Sequence, residues 1–91
     1  METKKLVALE RIVKGFANHR RIQILGLLEK NPNLSVIEIA DRLEVNYKTI
    51  AQHIQKMAIA GLVYKTTQSN AVEQSLTNRG TSILHFLRNV D

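Results

Sequence analysis

Ninety-one residues, 44% of them apolar, suit one domain (residues 1–91) with a core of its own and exclude a disordered tail. The formal net charge of +5 favours polyanionic partners without choosing among DNA, RNA and a membrane surface. The absence of cysteine excludes disulfides and thiolate sites, and no apolar run approaches the roughly eighteen residues of a membrane span. The first residues, METKKLVALE, lack a signal-peptide pattern, so a cytoplasmic protein is expected.

In chain order, the first helix is predicted over residues 3–17, its regular part running from Thr3 to Phe16. Leu6, Leu9, Val13, Phe16 and Ala17 lie on one side, Val7 and Ile12 widen the stripe, and Gly15 weakens the end. Asn18 can cap a second helix over His19–Lys30, whose centre, IQILGLL, is apolar almost all round, as a helix covered on several sides should be. Arg20 and Arg21 at its start oppose the helix dipole, which hints at phosphate contacts, although surface arginines need no special explanation. Asn31-Pro32-Asn33 ends this helix, because the residue before proline is pushed out of helical space, and Leu34 follows as a short strand.

Residues 35–60 carry the strongest signal. Ser35 and Glu38 have capping-box spacing, and Val36, Ile39, Ala40 and Leu43 fall on one helical stripe. After a tight turn Asn46 can cap another helix, with Ile50, Ile54 and Met57 facing inward and Gly61 as the stop. Two short helices joined by so few residues form a helix-turn-helix, whose second helix can enter the DNA major groove. Residues 62–76 then read as a hairpin: a β-rich run from Leu62 to Thr67, turn residues Gln68-Ser69-Asn70, and a returning strand from Val72 to Leu76. Thr77 can cap a last helix over residues 78–90, with Ile83, Leu84, Phe86, Leu87 and Val90 on one stripe. The expected class is mainly α with a small β-hairpin wing, a winged helix-turn-helix with flanking dimerisation helices.

With Ile50, Ile54 and Met57 inward, the opposite face of the second helix presents Lys48, Thr49, Gln52, Gln55 and Lys56, with Tyr47 and His53 at its margins. From Val45 to Val72 there is no acidic residue, whereas solvated helix faces normally mix in glutamate. Gln can pair with adenine, Lys can reach guanine or phosphate, and a Thr methyl can touch thymine. Ala51 leaves room for close backbone approach. Asn46 is first a helix cap, and the capped start also offers amides to phosphate. His53 has two readings, a neutral histidine packed against backbone or a DNA contact. Lys65, Gln68, Ser69 and Asn70 can lie on the DNA backbone or be no more than hairpin-turn residues.

Other chemistry lacks its residues. His19, His53 and His85 are scattered and form no helical pair of metal ligands, Gly15, Gly26, Gly61 and Gly80 are isolated, and the serines sit at caps, turns or helix surface. No metal, no cofactor and no catalysis are expected.

The run HRRIQILGLLEKNPNLSVIEIADRLEVNYKTIAQHIQKMAIAGLV resembles winged-helix repressors of the ArsR type, and SLTNRGTSIL after the hairpin is similar to the MarR type. The resemblance implies reading positions at Tyr47, Lys48, Ala51 and Gln52, a wing from Lys65 to Asn70, and a homodimer built by the first and last helices. Its dimer face is expected from Leu6, Leu9, Val13, Phe16, Ile83, Leu84, Leu87 and Val90. The chain departs from the family in three ways: IEIADRLE lacks the thiolate metal-sensing motif, Ala58 and Ile59 form an exposed apolar pair, and no ligand pocket is visible.

The function expected is sequence-specific binding of palindromic double-stranded DNA by a homodimeric transcriptional regulator, a repressor. The alternative is a winged-helix module for protein–protein contact without sequence-specific DNA binding. RNA binding ranks third, because two of the four aromatics (Phe16, Tyr47, Tyr64, Phe86) are expected in the core, leaving little platform for stacking bases.

Overall fold

The computed structural model describes residues Met1 to Asp91. In chain order they form α1 (Thr3–Phe16), α2 (His19–Lys30), α3 (Val36–Leu43), α4 (Tyr47–Ile59), β1 (Val63–Gln68), β2 (Ala71–Leu76) and α5 (Asn78–Arg88). Five helices and one antiparallel hairpin are the expected winged helix-turn-helix class.

Local chemistry fixes the helix starts. The Asn18 side chain accepts from the amides of Arg20 and Arg21 at 2.9 and 3.3 Å, and that of Asn46 from Lys48 and Thr49 at 2.8 and 3.4 Å. Ser35 and Glu38 complete a reciprocal capping box, the Glu38 amide donating to the hydroxyl and the Ser35 amide to the carboxylate. The hydrogen bond from the Ser35 amide foremost, and then the Ser35 hydroxyl beside it, hold the Glu38 carboxyl below the usual carboxylate range. Thr77 Oγ1 accepts from the Gly80 amide at 3.0 Å and donates to the Gly61 carbonyl at 2.6 Å, so one side chain starts α5 and ties it to the end of α4.

The core lies where α2, α3, α4, the base of the hairpin and α5 meet. Ile24, Leu25 and Leu28 of α2, Ile39 and Ala40 of α3, and Ile50, Ile54 and Met57 of α4 are buried together with Leu34, Ala60, Leu62, Val63 and Leu84. Each large member contributes about 1.5–3 kcal/mol on leaving water. Gly15 lets α1 press on α4, since a Cβ there would lie 2.3 Å from that of Ala60. Gly80 sets α5 equally close to the backbone, its added Cβ falling 2.2 Å from the Leu62 carbonyl oxygen. Leu34 pairs with Gln74, giving the hairpin a one-residue third strand, and Gln74 itself is buried.

The hairpin turn is shorter than the sequence suggests. Ser69 and Asn70 alone form it, with φ of 49° and 69°, while Gln68 is the last residue of β1 and pairs with Ala71. Two consecutive left-handed residues make the tight turn whose twist matches the strands, and Asn tolerates that region better than most residues.

Three further expectations change. Leu84 is 4% exposed and belongs to the protomer core, so it offers no surface to a partner, and Ile83 also packs against that core. Ala58 is half-buried against the core too, leaving Ile59 exposed alone. Of the four aromatics only Phe16 packs against the core; Tyr47, Tyr64 and Phe86 are exposed, because each falls on the outer side of its element.

Candidate nucleic-acid interface

Packing of Ile50, Ile54 and Met57 sets the roll of α4 about its axis and hence the face it turns outward. Asn46, Tyr47, Lys48, Thr49, Gln52, Gln55 and Lys56 are all exposed, and Ala51 is half-buried. At 100° per residue Gln52 and Ile59 stand near the centre of this face, with Lys48 and Gln55 to one side and Lys56 to the other. No carboxylate occurs anywhere in α4. The face therefore combines amide donors and acceptors with two cations and has nothing to repel phosphate. The α3–α4 turn, Glu44 to Asn46, is made short by Glu44 in the left-handed conformation at φ 55°.

The wing extends the same surface. Lys65 is exposed near the middle of β1, opposite Gln74, and Gln68, Ser69 and Asn70 are exposed at the tip. Between α4, the start of α3 and the wing runs a groove of about 590 Å³, lined by Ile37, Tyr47, Ala51, Ile59, Lys65 and Val72 among others. Apart from half-buried Ala51, every residue expected to contact DNA is thus exposed on α4, its cap or the wing. Ile37, 61% exposed at the start of α3, joins this surface without any warning in the sequence.

His53 is half-buried and packed, as the first reading from the sequence has it, but its partner is not backbone. Its Nδ1 accepts a hydrogen bond from Arg21 Nε at 3.1 Å, so its partner is a side chain of another helix. Arg21 also donates from Nη1 to the Lys14 carbonyl at 2.6 Å, linking α1, α2 and α4. Burial lowers the His53 pKa, and the surrounding positive charges of Arg21, Arg20, Lys56 and His19 lower it further. Another cation missed in the sequence is Arg79, whose Nη1 donates to the Ala60 carbonyl at 2.9 Å and closes the end of α4. Neither pairing has a sequence signal, since each joins elements distant along the chain.

The faces expected to dimerise separate into two kinds. Leu6, Val7 and Val13 of α1 are about half exposed and Leu9 is 38% exposed, while Phe16 is partly buried. Every residue of α1 from Thr3 to Arg11 is exposed. On α5 Phe86 stands out, Leu87 is half-buried, and Arg88 binds Glu29 of α2 at 2.8 Å; the helix ends at Arg88, earlier than expected, so Val90 is exposed beyond it and not on its stripe. This ion pair holds the Glu29 carboxyl below its usual range, the hydrogen bond from Arg88 being the main cause.

A model of the winged helix-turn-helix DNA-binding family matches residues 18–64. The transcriptional activator HlyU of Vibrio cholerae is 36% identical over 67 residues, 74% of this chain; the chain spans 61% of the length of that curated relative. The structure of reduced HlyU superposes with a TM-score of 0.79 at 30% identity, covering 96% of this chain and 92% of that one. The homodimeric winged helix-turn-helix DNA-binding domain of Mb0332 from Mycobacterium bovis, described as a possible ArsR-family transcriptional regulator, gives 0.81 at 27% identity, covering 99% and 85%. The transcriptional repressor PagR of Bacillus anthracis gives 0.80 at 25% identity, covering 94% and 99%. The matched stretch begins at the cap of α2, contains the whole helix-turn-helix and ends inside β1, so it takes in the carboxylate-free face of α4: the chain belongs to the winged helix-turn-helix DNA-binding family.

Proposed function

We propose that this protein is an ArsR-type transcriptional regulator that binds a roughly palindromic duplex site as a homodimer, and that it represses where that site overlaps a promoter. The observation that carries this reading is the outward face of α4, where Lys48, Gln52, Gln55 and Lys56 are exposed and no carboxylate intervenes. In the major groove Gln52 and Gln55 read base edges, Lys48 and Lys56 reach guanine or phosphate, and Ala51 allows the helix to approach closely. Asn46 orders the first amides of α4 toward the backbone, and Lys65, Gln68, Ser69 and Asn70 of the wing lie along the neighbouring phosphates.

A nine-residue exposed stretch of α1 supports the dimer, because a helix with so little cover is marginal in water by itself. Pairing Leu6, Leu9, Val13 and Phe16 with their counterparts, and Leu87 and Val90 with theirs, covers it. Mb0332 is a homodimer, and the two named regulators act in opposite senses, HlyU as activator and PagR as repressor. Occupying DNA serves either sign, which then depends on where the site lies. The MarR-like reading of residues 75–84 rests on the sequence alone.

Titration with selected and random duplexes at 50 and 200 mM salt tests the proposal. If the dimer neutralises about six to ten phosphates, affinity should fall roughly 10³- to 10⁵-fold over that range. Exposed Ile37 and Ile59 favour a second reading, a protein-docking module, which would bind duplexes feebly and with a flat salt response.

A further inference from the structure

A helix lying in the major groove has a phosphodiester strand on each side of it, because the groove is only about 12 Å wide. The two sides of α4 differ. On the α3 and wing side the groove is mostly apolar. On the other side α1, the start of α2 and the end of α4 enclose a second groove of about 550 Å³, lined by Arg11, Lys14, Arg21 and Lys56 with the single carboxylate Glu10. Four cations from three helices converge there. Glu10 lies 3.6 Å from Lys14, and both are largely exposed, so the pair is weak and can be exchanged for an anion.

We propose that this groove is a second DNA contact, holding the phosphate backbone of the strand that flanks α4 on its α1 side. The inference rests on the DNA-binding reading above and adds a role for α1. Lys56 belongs both to the outward face of α4 and to the groove, so the two surfaces are continuous. Arg21 is fixed before any ligand arrives, by the Lys14 carbonyl and by His53, and these use only two of its five N–H groups. A guanidinium held in this way loses little freedom on meeting a phosphate. Arg21, Arg20 and Lys56 crowd positive charge around His53, adding to the effect of burial on its pKa, and an anion would relieve that crowding.

Dimerisation leaves this groove open. At 100° per residue, Val7, Glu10, Arg11 and Lys14 centre about 130° round α1 from Leu6, Leu9, Val13 and Phe16. Helix α1 can therefore give one face to a second copy and the other to DNA. Arg20 stands beside the groove, bonded through Nη1 to Gln23 at 2.6 Å, and is a reserve cation rather than a lining one.

The test replaces two groove cations of α1 in the full chain, Arg11→Ala with Lys14→Ala, and compares a double variant of the same charge, Lys4→Ala with Lys5→Ala, outside the groove. Both sites are exposed, so folding should survive, and circular dichroism and sedimentation verify it. The readout is the slope of log affinity against log salt on one random duplex. The groove variant should lose roughly two units of slope per protomer, at about 0.9 unit per phosphate contact, and the control far less. Wild-type slope in the groove variant, or equal loss in both variants, overturns the groove as a site while DNA binding stands. A wild-type chain that binds no duplex overturns the proposed function itself.

Discussion

Arg21 and His53, on separate helices, meet through a 3.1 Å hydrogen bond from Arg21 Nε to His53 Nδ1. The acceptor nitrogen must be unprotonated, so this bond needs a neutral imidazole with its proton on Nε2. Through Arg21 it locks the start of α2 to the middle of α4.

The pH dependence of stability follows. Burial and the neighbouring cations lower the His53 pKa from 6.5 in the folded state, so above 6.5 the group is neutral both folded and unfolded. As pH falls below 6.5 the unfolded chain takes up the proton first and stability declines, until the folded pKa is passed. Urea midpoints at pH 7.5 and 5.5 should show this decline, and His53→Gln, which keeps an acceptor for Arg21 but cannot titrate, should flatten it. A His53→Gln profile as steep as the wild type would contradict the assignment. The lowered carboxyls of Glu29 and Glu38 act in a more acidic range, below 4.5.

Two glycines should respond in opposite directions. Gly26, in the middle of α2, has open space where a Cβ would go, so Gly26→Ala should stabilise by about 0.5–1 kcal/mol through helix propensity. Gly80→Ala would force a Cβ to 2.2 Å from the Leu62 carbonyl and should cost about 1–3 kcal/mol, with α5 pushed off the hairpin base. Denaturant unfolding of both variants gives the comparison.

Dimerisation should depend on α1. Sedimentation at micromolar concentration should report about twice the 10.3 kDa chain mass. Leu6 is half exposed and outside the protomer core, so Leu6→Glu should dissociate the dimer while circular dichroism shows the winged domain still folded. A folded monomer in the wild type across that range would refute the dimer.

Elements governed by local chemistry were legible in the sequence. The caps at Asn18, Ser35, Asn46 and Thr77 all form, because each needs only residues two or three positions away. The inward stripe of α4 also holds, since helical spacing alone decides it. What escaped depends on residues far apart in the chain. Leu84 shares the α5 stripe with residues that stay outside, and only the seating of α5 on α2 and the hairpin decides which of them is buried. Arg79 on Ala60 and Arg21 on His53 likewise require helices to be placed first. Gln68 looks like a turn residue in the sequence, but the Ser69-Asn70 backbone makes the turn without it and leaves Gln68 to pair with Ala71.

The most direct test of the central account, that α4 reads sequence and the wing positions the backbone, compares Gln52→Ala and Lys65→Ala on a selected duplex and on a random one. Gln52 stands near the centre of the outward face, so its loss should cost about 1–3 kcal/mol on the selected site, relax base choice at one position per half-site, and hardly affect the random duplex. Lys65→Ala should weaken both duplexes alike and reduce the salt slope by about one unit per protomer. Half-sites in the selected duplex should lie one or two helical turns apart. Equal weakening on every sequence by Gln52→Ala, with base preference changed instead by Lys65→Ala, would contradict the account.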